Sequence, residues 1–78
     1  MVTMRWETDT RYYVCHLQQD LLGDWVLFQC WGSRFNNLGN HTTKLAGSYE
    51  KAKTMLTQVN KLRLKRGYNL VKKGAIAF

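Results

Sequence analysis

The spacing of apolar residues changes once along the chain. Before residue 46 it runs mostly in twos or in short continuous runs; after it, in threes and fours. Met4, Trp6 and Thr8 alternate with Arg5 and Glu7, which predicts a half-buried edge strand. Arg11 to Leu17 (RYYVCHL) and Asp24 to Trp31 (DWVLFQCW) are rich in aromatic and β-branched residues and read as two strands. The segment QQDLLGD between them, with Gly23 and Asp24 as turn formers, makes them a hairpin. Apolar groups on both faces place this pair centrally in its sheet. A short turn would set Leu17 near Trp25 and Cys15 near Leu27, leaving Cys30 too far along for a disulfide with Cys15. Asn40 to Leu45 (NHTTKL) is a polar strand whose Lys44 and paired threonines suit a sheet edge.

From Tyr49 to Arg66 the period is helical, with Ala52, Met55, Leu56, Val59 and Leu62 on one stripe and Leu64 off it. Ser48 is the expected N-cap, with Glu50 at the positive dipole end. Lys65 and Arg66 occupy the last turn and Gly67 the left-handed position beyond it. Tyr68, Leu70 and Val71 form a short closing strand, after which KKGAIAF either frays or docks its Ile76 and Phe78. The expected fold class is α+β: an antiparallel sheet of four to five strands with one long helix packed across it.

Length makes this a single domain over residues 1–78, with a thin core, since a chain of this size buries only about 60% of its unfolded surface. The sequence has no Pro, no Gly/Ser linker and no repeat. Charge changes the picture more. Twelve Lys and Arg oppose five Asp and Glu, for a net charge of +7 and a pI near 9.8, a balance that favours polyanions. No stretch approaches the ~20 apolar residues of a membrane span, so no membrane association is expected. The N-terminus lacks the apolar core of a signal peptide. Cys15 and Cys30 lack CxxC spacing, and His16 and His41 are the only histidines, so a reduced, cytoplasmic protein without a metal or cofactor is the simplest account.

The candidate chemistry lies in WGSRFNNLGN, Trp31 to Asn40. Trp31 offers either a stacking surface for an exposed base or a ring packing the turn onto the sheet. Arg34, beside Asn36 and Asn37, offers forked and amide donors suited to phosphate oxygens; the Asn pair also suits plain turn geometry. Lys61, Arg63, Lys65, Arg66, Lys72 and Lys73 crowd the helix end and the strand after it with no acid among them, and Arg11 and Lys44 extend that patch toward the loop. The alternative is a solvated, dipole-favoured helix face. Glu7, Asp9, Asp20, Asp24 and Glu50 are scattered over turns and ends and form no acid/base pair, so catalysis is not expected.

Taken in order, RYYVCHLQ, GDWVLFQCWG, Gly39, GSYEKA and KRGYNLV resemble the WGR domain, named for a Trp-Gly-Arg step at a strand end; the resemblance covers about residues 11–71. Here Trp31-Gly32 is followed by Ser33 and then Arg34. Either Ser33 is inserted and Arg34 takes the signature role, or Ser33 replaces the arginine. WGR domains occur in poly(ADP-ribose) polymerases, where they contact DNA ends and neighbouring domains, and in bacterial proteins, alone or beside other domains. The resemblance implies a stand-alone, bacterial-type module that binds nucleic acid; DNA is expected before RNA, and a monomer. The sites would be Trp31, Arg34, Arg11, Lys44, Lys61, Lys65 and Arg66. The alternative is a protein-interaction module docking an acidic partner.

Overall fold

The computed structural model describes residues 2–36 and 39–75. Within them the chain forms β1 (Val2–Glu7), β2 (Arg11–Gln19), β3 (Trp25–Ser33), β4 (Gly39–Leu45), α1 (Tyr49–Lys65) and β5 (Asn69–Ala75). The five strands make one antiparallel sheet in the order β4-β3-β2-β1-β5. Four strands follow one another as a meander. The helix, about 25 Å long, then carries the chain back over the sheet, so that β5 pairs with the far side of β1. The fold is the expected α+β arrangement, an antiparallel sheet with one helix across it.

Cross-strand register sorts the side chains. Val2, Leu17, Leu27 and Lys44 form one row on the helix side, Met4, Cys15, Gln29 and Thr42 the next, and Trp6, Tyr13, Trp31 and Asn40 the third. The core is this face plus the inner stripe of α1: Met4, Trp6, Cys15, Leu17 and Leu27 pack with Ala46, Ala52 and Leu56, and Trp6, Cys15, Leu17 and Leu27 are fully buried. Two ties, one polar and one aromatic, fix α1 to the sheet, at Asn60 in its C-terminal half and at Tyr49 at its start. Trp6 Nε1 donates to Asn60 Oδ1 at 2.9 Å, and Tyr49 meets Trp25 edge to face at 4.9 Å.

The helix caps are as expected. Ser48 accepts from the Lys51 amide at 3.1 Å. At the other end Tyr68 N donates to Arg63 O and Gly67 N to Leu64 O, with Gly67 at φ +88°, a Schellman ending. Arg66 caps the helix rather than lying inside it, and Leu64 is exposed, off the apolar stripe.

Three expectations need correction. β1 is not an edge strand: β5 covers its outer side, because the crossing helix delivers the chain to that edge. β5 is not short. It runs to Ala75 and so takes in Lys72, Lys73 and Gly74, while Ile76 and Phe78 lie outside the described residues. The hairpin register is displaced by two: Leu17 pairs with Leu27, Cys15 with Gln29 and Gln19 with Trp25. The turn is confined to the residues after Gln19, where Asp20 Oδ1 accepts from the Leu22 and Asp24 amides and Gly23 takes φ +86°. A shift of two keeps every side chain on its face. Cys15 and Cys30 point to opposite faces, and both are free thiols.

Candidate nucleic-acid interface

A single helix, about 10–12 Å across, cannot cover five strands spaced about 4.8 Å apart. The helix side of β3 and β4 is therefore left open beside α1. Three recesses follow one another there. One of 220 Å³ is lined by Leu27, Gln29 and Lys44 on the sheet and Met55, Val59 and Leu62 on the helix. One of 370 Å³ is lined by Tyr13, Gln29, Trp31, Thr42, Lys44 and Arg63. One of 390 Å³ includes Arg11, Trp31, Ser33, Asn36, Gly39 and Asn40. The first two share Gln29 and Lys44, and the last two share Trp31, so they form one groove. No Asp or Glu lines any of them.

The middle of the groove is an aromatic and cationic shelf. The half-buried Trp31 lies parallel to Tyr13, with centroids 5.8 Å apart and planes 12° apart; Tyr13 in turn meets Trp6 edge to face at 5.9 Å. The Arg63 guanidinium lies 4.4 Å from the Tyr13 ring centroid and 5.3 Å from that of Tyr68. Its Nε is buried without a hydrogen-bond partner among the described residues. The two ring faces supply part of the missing stabilisation for this charge. Tyr13 donates its hydroxyl to Gln29 Oε1 at 3.0 Å, and burial pushes that hydroxyl's pKa up, so it stays a donor. Burial also pushes the Cys15 thiol up to about 12, which leaves it unreactive.

The residues singled out in the sequence separate into three places. Trp31, Arg11 and Lys44 meet in the groove. Arg34 is turned onto the β1–β2 connection: Nη1 donates to Thr8 O at 2.9 Å and approaches Asp9 O at 3.5 Å, while Nη2 lies 3.5 Å from Glu7 Oε1. Its fork is thus engaged by its own chain, and with Arg5 it makes the only ion pairs among the described residues, both to Glu7. Lys61, Lys65 and Arg66 are exposed but are not part of the groove lining. Lys72 pairs across from Arg5 and Lys73 from Met4, in β5 at the opposite edge of the sheet from Lys44. Asn36 lines the groove, and Asn37 lies outside the described residues.

Sequence reading placed Arg63 in the crowd of cations and missed its position. The signal was present, because Arg63 is seven residues after Leu56 and four after Val59, on the buried stripe of an amphipathic helix. A cation on that stripe must find rings or an anion. Tyr13 and Tyr68 as its partners could not be read, because they come from β2 and from the turn after the helix.

No helix among the described residues is long and apolar enough to cross a membrane, and no three His, Cys, Asp or Glu among them are grouped to hold a metal ion. No protein-family model matches the chain, and no curated protein or solved structure matches it.

Proposed function

We propose that this chain is a nucleic-acid-binding module of WGR type, which acts in the cytoplasm by binding rather than by catalysis, with DNA preferred. The observation that carries the reading is the acid-free groove that Arg11, Lys44 and Arg63 line together with Trp31. Cations without carboxylate partners favour phosphate oxygens, and a flat indole favours an unpaired base or a sugar without reading sequence. The net charge of +7 adds a long-range attraction of the same sign.

Binding of labelled DNA, measured by anisotropy over a range of salt, tests it. If the three groove cations each neutralise one phosphate, the log–log slope is about −2.7 on duplex and about −2.1 on single strands. Lys44→Ala lowers its magnitude by about one phosphate contact, whereas Lys61→Ala, outside the groove, changes it little. Trp31→Ala weakens binding by about 1–3 kcal/mol with the slope retained. An affinity indifferent to salt, or equal losses from Lys44 and Lys61, would refute the groove as the site.

A further inference from the structure

The end of the molecule that carries the β2–β3 turn has two features that the nucleic-acid reading does not use. The first is a knob. Leu21 is 104% exposed and Leu22 87%, side by side at the hairpin tip. This tip is not slack. Asp20 N donates to Asp24 O, Gly23 N to Asp20 O, the Leu22 and Asp24 amides to Asp20 Oδ1, and Gln19 Nε2 to Gly23 O. Two leucines are thus held out in water by a rigid, hydrogen-bonded loop flanked by two carboxylates. A pre-ordered apolar tip loses little freedom when it docks.

The second is a hole. On the side of α1 away from Lys44, a 350 Å³ recess opens between the helix and β1. Its floor includes Val2, Met4, Leu17 and Leu56, and its lining includes Lys53 and Lys73 with no Asp or Glu. The volume suits two leucine side chains, and the charges are opposite in sign: two carboxylates flank the knob and two ammonium groups the hole. Leu17, in the floor of the hole, precedes Asp20, the first residue after β2, by three residues, about 10 Å along the chain. The hole also includes Tyr49, which packs on Trp25, the residue after the tip. The hole thus begins at the end of the molecule that carries the knob and runs along the β1 flank to Asn60.

The geometry points to a second copy of this chain as the occupant: a two-fold dimer in which each Leu21–Leu22 tip enters the other copy's recess, with Asp24 facing Lys53. Because each copy offers both halves, two-fold pairing satisfies both contacts at once and the assembly closes. This departs from the monomer expected from the sequence and leaves the groove beside β4 open. The flanking aspartates oppose docking of the same tip into an anionic membrane surface, which would attract cations there. Two leucine tips in recesses of this size make a small contact, so a dissociation constant on the order of 100 µM is expected.

Sedimentation velocity of the full chain, freed of nucleic acid, over a wide concentration range tests this. The expected result is a reversible monomer–dimer equilibrium without larger species. Leu22→Asp, at a side chain with almost full exposure, raises the dissociation constant about tenfold or more while the thermal melt of the monomer is unchanged. Lys53→Glu and Asp24→Lys each weaken self-association. Mixed in equal amounts, they form a heterodimer tighter than either homodimer, since each mismatch is repaired by the other copy. A wild type that stays monomeric at all concentrations overturns the proposal. So does a dimer indifferent to Leu22→Asp, growth beyond the dimer, or a mixture no tighter than its components. None of these outcomes depends on nucleic-acid binding, so this proposal and the groove fail separately.

Discussion

At Gly39 a Cβ would stand 2.7 Å from the Trp31 carbonyl oxygen and 3.1 Å from the Tyr12 hydroxyl. The tyrosine could yield, but the backbone carbonyl belongs to the β3–β4 ladder and could not move alone. Gly39→Ala is therefore expected to destabilise by about 1–3 kcal/mol, as overpacking does; an unchanged urea midpoint would contradict this. Glu7 poses an electrostatic question at the same scale. Its carboxylate accepts from Arg5 Nε at 2.8 Å and faces Arg34, and the Arg5 hydrogen bond in particular holds its pKa below the ordinary 4.5. A depressed carboxylate contributes stability above its unfolded pKa and loses it as pH falls through the folded one. Glu7→Gln should thus melt lower than wild type at neutral pH, with the gap closing in acid below the ordinary carboxylate range. A gap that persists there would show that geometry, and not charge, is what the substitution removed.

The helix end allows a cleaner experiment, because two glycines differ in one variable. Gly67 and Gly74 both have open space where a Cβ would stand, but only Gly67 has a positive φ, +88°. Gly67→Ala should cost about 1 kcal/mol from left-handed backbone alone. Gly74→Ala, within β5 where no left-handed backbone is required, should cost little or slightly stabilise. Thermal melts of the two variants compare them, and equal shifts would show that the Schellman ending is not what Gly67 supplies. The element as a whole holds its position through two very different contacts. Ala52 and Leu56 bury its inner stripe, and Asn60 accepts the Trp6 indole N–H. Asn60→Ala leaves that fully buried Trp6 donor without its partner and should destabilise by about 1–3 kcal/mol, read by denaturant titration.

At the scale of the molecule, one helix over five strands leaves a flank on each side, and the two flanks differ. The β4 flank carries Trp31, Lys44 and Arg63; the β1 flank carries an apolar floor under Lys53 and Lys73. Arg63 is the residue that links fold and groove, because its guanidinium both packs on Tyr13 and Tyr68 and lines the recess. Arg63→Lys keeps the charge but loses the flat stacking group. It should leave the salt slope of DNA binding nearly intact while lowering both affinity and melting temperature. A variant that binds and melts like wild type would remove Arg63 from the site.

What the chain carries in local order was legible without coordinates. The period-3.6 stripe from Ala52 to Leu62, the Ser48 cap and the Gly67 ending are each set by neighbours within a few residues, so sequence alone determined α1, and with it the α+β class. The alternation and aromatic density of β2 and β3 determined that they pair and which side chains share a face. Their exact register was missed by two residues, because both registers put the same faces inward and only the Asp20 hydrogen bonds choose between them. That β1 is interior was a decision of the tertiary structure alone, since its outer partner is some 65 residues away and arrives only after the helix has crossed the sheet. The candidate site divides the same way. Trp31, Lys44 and Arg11 were nameable from residue type. That Arg34 braces the Thr8 turn, that Arg63 stands on Tyr13, and that Lys61 and Lys65 lie outside the groove depended on which distant backbone each side chain met. Residue types and local periods travel with the sequence; the neighbours of a charged side chain are set only when the sheet and helix close on one another.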